Sequence, residues 1–145
     1  MNREISPILV AYKTGINFVP KICVLKIIFE TVIFVDNTSD SVYKELESYE
    51  ISYIANKNIS GLAGAYNQAI LTIENIKIIK YLMFIDDDSD LDYIKPFLDT
   101  FYLNAHLHDL YVAFGSQYID RSTGVNGGFL SRSRNGFVNL ERPLT

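Results

Sequence analysis

Three adjacent carboxylates, Asp86-Asp87-Asp88, followed by Ser89 and Asp90, are the residues of this chain best equipped for chemistry. Carboxylates placed side by side repel one another, and burial raises that cost. A hard divalent cation removes it by accepting oxygen ligands. Side chains of an extended segment alternate faces, so Asp86 and Asp88 are expected to point the same way. Such a pair can hold Mg2+ or Mn2+ while water and a substrate phosphate complete the ion's shell. The plainer alternative is a solvated acidic turn with Asp90 capping a helix. Asp36, beside Asn37, can accept a hydrogen bond from a base imide or a ribose hydroxyl; an Asx turn through Asp36-Asn37-Thr38-Ser39 is the alternative. Tyr12, after Ala11, can stack on a base or serve as an ordinary core or surface tyrosine. Gly61-Leu62-Ala63-Gly64-Ala65 opens a helix with small residues, which lets an anionic ligand approach free N–H groups near Gly64, or lets the helix pack closely on a sheet. Asn67 lies too deep in that helix for a cap and is expected to bond back to a loop after the first or second strand.

Groups of this kind need strands that end beside them. Residues 8–11, 31–35, 51–54, 81–85 and 110–115 read as strands from their β-branched, aromatic and apolar content. Helices are expected over residues 17–29, with Asn17 as cap and Pro20 in the first turn, over 41–49, over 61–79 and over 91–106, where Pro96 predicts a kink or a break. Leu62, Tyr66, Ala69, Ile70, Ile73 and Ile76 recur at spacings of three and four and mark one apolar face. The uninterrupted apolar run 81–85 predicts a strand buried on both faces. Strands alternating with helices specify an α/β fold with a largely parallel sheet and right-handed crossovers. Ligands of such sheets bind outside the carboxyl ends of the strands, where Ala11-Tyr12, Asp36-Asn37 and Asp86-Asp87-Asp88 all fall. Residues 120–145, rich in Gly, Ser, Asn and Arg, read as loop or as the start of further structure.

Composition sets the outer limits. With 145 residues, a net charge of -4, 48% hydrophobic and 21% charged residues, the chain is sized for one domain and is not a disordered segment. Mild acidity argues against a nucleic-acid binder. Cys23 has no second cysteine to pair with, so no oxidising compartment is implied. Pro20, Lys21, Lys26 and Glu30 interrupt the most apolar stretch, residues 16–35, and no signal-peptide pattern precedes it. A cytoplasmic location is the expectation, with peripheral attachment at the inner face of the membrane left open. His106 and His108 lack zinc-site spacing.

Taken together, Ala11-Tyr12, Val35-Asp36-Asn37-Thr38-Ser39, the stretch from Asn58 to Asn67, and Phe84-Ile85-Asp86-Asp87-Asp88-Ser89 resemble the motifs of the family-2 glycosyltransferases, in the family's order and over roughly residues 5–120. The spacing is most similar to bacterial rhamnosyltransferase-like members. The resemblance implies a GT-A Rossmann-like fold, a nucleoside-diphosphate sugar donor (a UDP- or dTDP-sugar), a glycan or lipid-linked acceptor, and Mg2+ or Mn2+. It places Tyr12 in the base pocket, Asp36 on the base or ribose with Asn37 beside it, and Asp86 and Asp88 in an Asp-x-Asp motif. Asp88 would contact the metal and Asp86 would lie nearer the ribose. It also implies inversion at the anomeric carbon by direct attack of an acceptor hydroxyl. Lys13 stands where the family commonly has Asn, and two residues rather than one separate Asn58 from Gly61.

No residue here matches the family's catalytic base; after residue 120 the only acid is Glu141. Residues 1–120 are therefore expected to form a donor-binding part and 121–145 the loop-rich start of an incomplete acceptor part, with truncation limiting activity and exposed apolar surface favouring a homo-oligomer. A non-catalytic nucleotide-sugar-binding module is the main alternative. A phosphoacceptor receiver domain would need paired acids after the first strand, and a nucleotidyltransferase a basic Gly-rich loop there; Ala11-Tyr12-Lys13-Thr14-Gly15 supplies neither.

Overall fold

A computed structural model describes residues 1–13, 18–38, 46, 51–73 and 77–110, and the backbone of 118–119, 126–127, 129–133 and 136–140. The first of two compact units, Met1–Asp92, is built on a four-stranded sheet. Its strands are β1 (Ile5–Ala11), β2 (Ile33–Asp36), β3 (Ser52–Ala55) and β4 (Tyr81–Asp86), in the order β3-β2-β1-β4 and all parallel. The expected α/β class with a parallel sheet is thus observed.

Alternation along the central strands assigns their side chains to two faces. Ile8, Val10, Ile33 and Val35 share one face and form a core with Ala65, Ala69 and Ile73 of helix α2 (Gly61–Ile73). The small side chains of Ala65 and Ala69 let this helix lie close to the sheet. Phe34, from the opposite face, meets Phe18 at 5.7 Å between ring centroids, where helix α1 (Val19–Ile28) begins, and Tyr53 at 6.0 Å. Ile22 and Leu25 of α1 are fully buried. Right-handed crossovers require this arrangement, because β1-to-β2 and β3-to-β4 move in opposite directions across the sheet. Each fully buried Ile, Leu or Phe contributes about 1.5–3 kcal/mol.

Position in the strand order also corrects one expectation. The strands buried on both faces are β1 and β2, whereas β4 closes the described sheet and is only partly covered, with Phe84 52% exposed. An apolar run registers hydrophobicity but not whether a strand is central. Helix α2 is described over Gly61–Ile73, and residues 77–79, expected to continue it, are not helical. Pro96 neither kinks nor breaks a helix: a 3-10 turn, Leu91–Tyr93, leads into α3 (Ile94–Leu103), and Pro96 occupies the first turn, where its missing N–H is not needed. The expected Asn17 cap, the 41–49 helix (apart from Leu46) and the 111–115 part of the fifth strand lie outside the described residues.

The second unit, Tyr93–Thr145, contains α3, whose Ile94, Leu98 and Phe101 share one face, followed by a 3-10 helix, Ala105–Leu110. His108 lies 3.9 Å from the Phe101 ring, centroid to centroid. Two antiparallel pairs follow: β5 (Tyr118–Ile119) with β6 (Asn126–Gly127), and β7 (Phe129–Ser133) with β8 (Gly136–Leu140). Residues 120–145 therefore carry more paired backbone than their composition suggests. No described helix is long and apolar enough to cross a membrane.

Candidate functional site

The carboxyl ends of all four strands of the first unit line up. Ala11 pairs in register with Asp36, Asp36 with Ala55, and Val10 with Asp86. The ladder extends by one residue, through Asn37 N–H to Ala11 C=O at 2.8 Å and Asn56 N–H to Asp36 C=O at 2.9 Å. The chain leaves β1 toward β2 and β3, then returns to β4 on the other side of β1. Loops that depart in opposite directions open a crevice at this switch point. Tyr12, 44% exposed, leaves β1 there, and the exposed side chains of Asp86 and Asp88 leave β4. The three expected strand ends are thus brought to one edge.

The acidic run is not extended. β4 ends at Asp86, and Ser89 N–H donates to Asp86 C=O at 3.1 Å, closing a turn through Asp87 and Asp88. Strand alternation therefore does not govern how Asp86 and Asp88 are directed. Asp86 Oδ1 accepts a 2.8 Å hydrogen bond from the Tyr66 hydroxyl on α2. Burial, then donation to Asp86 and its negative charge, push the Tyr66 hydroxyl well above the usual phenol range and keep it a neutral donor. The carboxylates of Asp87 and Asp88 have no hydrogen-bond or ion-pair partner among the described residues. Lys21 of α1 holds the main chain of the turn instead, donating to Asp87 C=O at 2.7 Å and Ser89 C=O at 2.8 Å. Asp90 accepts from Asp92 N–H at 3.0 Å and so caps the 3-10 turn.

No group of three or more His, Cys, Asp or Glu that could hold a metal occurs among the described residues. The chain offers, in Asp86 and Asp88, two exposed carboxylates with spare lone pairs. That donor set fits Mg2+ or Mn2+, which bind through one or two carboxylates and take other oxygens from water and phosphate.

Asp36 occupies a different setting. It is fully buried, accepts from Thr38 N–H at 3.0 Å and from the Thr38 hydroxyl on Oδ1, and accepts from the Tyr53 hydroxyl at 2.9 Å on Oδ2. The Asx-turn geometry expected as its alternative is present. Asn37, also buried, accepts from Asn56 Nδ2 at 2.6 Å and donates to Asn58 Oδ1 at 3.3 Å. Asn56 Nδ2 also donates to Ile59 C=O at 3.0 Å. This amide chain ties the end of β2 to the β3–α2 loop, in which Lys57, Asn58, Ser60 and Gly61 all take left-handed φ.

Gly64 is needed where that loop meets α2. A Cβ there would collide with the Ile59 carbonyl oxygen and lie 2.8 Å from Ser60 Cβ. At Gly64 the close approach is therefore to the helix's own entry loop, while Ala65 makes the one to the sheet. Alanine is the better helix former by about 1 kcal/mol. Against backbone that cannot swing aside, Gly64→Ala is nevertheless expected to destabilise by a net ~1–2 kcal/mol and to lower the urea midpoint. A raised midpoint would show that the loop yields. Asn67 is exposed, and its side chain has no hydrogen bond among the described residues; the expected bond back to a strand-end loop is not formed with any of them.

Lys21, Tyr53, Asn56 and Tyr66 were not identified from sequence. Tyr66 reads as one more member of an apolar face, and Lys21 as an interruption of an apolar stretch. Lys21 and Tyr66 reach the site only because crossovers bring α1 and α2 over the strand ends, and Tyr53 and Asn56 only because β3 pairs with β2.

Comparison with known proteins agrees with this geometry. No curated protein and no solved structure matches the chain. A family model described as "Glycosyl transferase family 2" matches residues 24–124, a span that begins within α1, takes in β2, β3, α2 and β4, and covers the whole acidic turn. Because that match covers more than two thirds of the 145 residues and the parallel sheet is of the kind a GT-A Rossmann-like fold requires, the chain belongs to glycosyl transferase family 2.

Proposed function

We propose that this chain binds a nucleoside-diphosphate sugar at the β1/β4 switch point, with Mg2+ or Mn2+ held by Asp88 and Asp86, and transfers the sugar to a glycan or lipid-linked acceptor. Sugar transfer in general follows from family membership; the donor, the metal and the stereochemistry are the finer reading. The observation that carries it is the acidic turn itself, exposed at the switch point, with the carboxylates of Asp87 and Asp88 left unspent while Lys21 and Tyr66 hold the turn from two helices.

In this reading Tyr12 stacks on the base at the mouth of β1, and Ala11 leaves room beside it. Asp86 and Asp87 lie toward the ribose and diphosphate, and Gly64 and Asn67 of α2 border the pocket. Asp36 and Asn37 reach base or ribose only by exchanging a present partner, so their larger contribution is to hold the β2 end rigid. Inversion needs the acceptor hydroxyl oxygen to attack the anomeric carbon as its bond to the diphosphate breaks, its proton passing to water or to the released diphosphate and the negative charge of the broken bond falling on the leaving group. A cation bound here would stabilise that charge as a Lewis acid. Tyr66, as a neutral donor, orients Asp86. A UDP- or dTDP-sugar donor, the latter in keeping with the rhamnosyltransferase-like spacing, and action at the inner membrane face belong to the same proposal.

The test is thermal unfolding with UDP, dTDP and GDP, each with and without Mn2+. A nucleotide at about 100 times its Kd stabilises by roughly 2.7 kcal/mol. The expected result is that one nucleotide stabilises, and only with metal, which also identifies the base. If none shifts the transition, the donor-site reading is wrong. Binding without turnover across an acceptor panel would favour the non-catalytic module.

A further inference from the structure

We infer that Lys21 is a positioning residue for the acidic turn, anchoring it through main-chain oxygens so that its carboxylates stay free for a cation. The inference rests on the donor-site reading above and adds to it a residue outside the matched span, three positions before it begins.

Lys21 lies in the first turn of α1 and is half-buried, its Nζ 5.7 Å from the centroid of the Phe18 ring. Phe18 is itself 97% covered and packs on Phe34, so the root of the lysine is fixed to the core. The ammonium has three N–H donors. Two are committed to carbonyl oxygens 66 and 68 residues away, those of Asp87 and Ser89, at 2.7 and 2.8 Å.

The choice of acceptor is the informative part. A lysine beside three aspartates would ordinarily pair with a carboxylate, and in doing so would compete with any metal for its ligand oxygens. Here none of the ion pairs among the described residues involves Asp86, Asp87 or Asp88. Lys21 therefore fixes the turn through its main chain. Its positive charge still offsets repulsion among the carboxylates, since ion–ion interaction does not require contact. Loss of the anchor would release the Asp87–Ser89 main chain, and the disorder of the turn would weaken metal-dependent binding while leaving the hydrophobic core intact.

The experiment compares wild type, K21M and K21R by Mn2+ titration of the nucleotide-dependent thermal shift, with amide hydrogen exchange across residues 86–90 in the ligand-free chain. Met retains the apolar stem against Phe18; Arg retains charge and donors. K21M is expected to raise the Mn2+ midpoint by about tenfold, the usual lower bound for removing a group that orients a metal ligand. It should also speed exchange at 87–90 and leave the ligand-free transition near that of wild type. K21R is expected to restore most of the midpoint, which a purely steric role would not predict. If K21M does not fold, the same comparison is made on K21Q. A wild-type response that K21M or K21Q leaves unchanged overturns the role of Lys21 alone. A wild type with no metal-dependent response overturns the donor-site reading and the Lys21 role with it.

Discussion

Asp88→Ala is expected to abolish the metal-dependent stabilisation by nucleotide while leaving the ligand-free unfolding transition within about 1 °C of wild type. The basis is the turn from Asp86 to Ser89. Asp88 is exposed within it, and no described residue bonds to its carboxylate. Alanine there removes no hydrogen bond or ion pair among the described residues, and surface substitutions away from such features usually change stability by no more than about 0.5 kcal/mol. A divalent ion that draws only one or two protein carboxylates has no substitute when one is deleted. The full nucleotide contribution, roughly 2.7 kcal/mol at 100 times Kd, should therefore vanish with the metal response. Asp86→Ala would be a less clean probe, because it also deprives the Tyr66 hydroxyl of its acceptor. If Asp88→Ala keeps a wild-type Mn2+ dependence, the metal assignment must be abandoned, whatever nucleotide binding survives.

Replacing Asp36 should produce the largest loss of fold stability among the site residues. Its buried carboxylate gathers the Thr38 main-chain N–H, the Thr38 hydroxyl and the Tyr53 hydroxyl. Alanine would leave those donors without this acceptor. Hydrogen bonds to a charged group contribute about 1.5–3 kcal/mol each but are not additive, and deleting a buried charge recovers part of its desolvation cost. A net loss of about 3 kcal/mol is expected, or a fall of roughly 10 °C in Tm. Asp36→Asn tests the cause. It preserves shape and one acceptor oxygen but presents an N–H2 group to a neighbouring donor, so it should fall between wild type and alanine, at about 1–2 kcal/mol. Chemical denaturation of the two variants checks the order. If Asn proves as stable as Asp, the hydrogen-bond account fails, and Asp36 would be kept for ligand contact.

Much of the fold was legible from local pattern. Every strand end of the proposed site, Ala11-Tyr12, Asp36-Asn37 and Asp86-Asp87-Asp88, was visible as an apolar run stopping at polar residues, because a strand must leave the core where its side chains become polar. Parallel pairing followed from strands alternating with helices, since parallel neighbours need a crossover. Gly64 was recognised as a position of close approach, although the partner is the Ile59 carbonyl rather than the sheet.

Tertiary structure decided what the local pattern does not encode. Burial of β1 and β2 but not of β4 depends on the order β3-β2-β1-β4, a property of the assembled sheet. The run at Asp86–Asp88 bends because a main-chain bond closes at Ser89, and composition alone is equally compatible with an extended segment or a turn. The distinction between a spent carboxylate at Asp36 and unspent ones at Asp87 and Asp88 rests on Thr38, Tyr53 and Lys21, partners two to 66 residues away that only the folded chain brings within hydrogen-bond reach. Sequence shows which residues can ionise, donate or pack; which of them still have a free lone pair is settled by the neighbours that folding supplies, because a hydrogen bond acts over about 3 Å in space and is indifferent to separation along the chain.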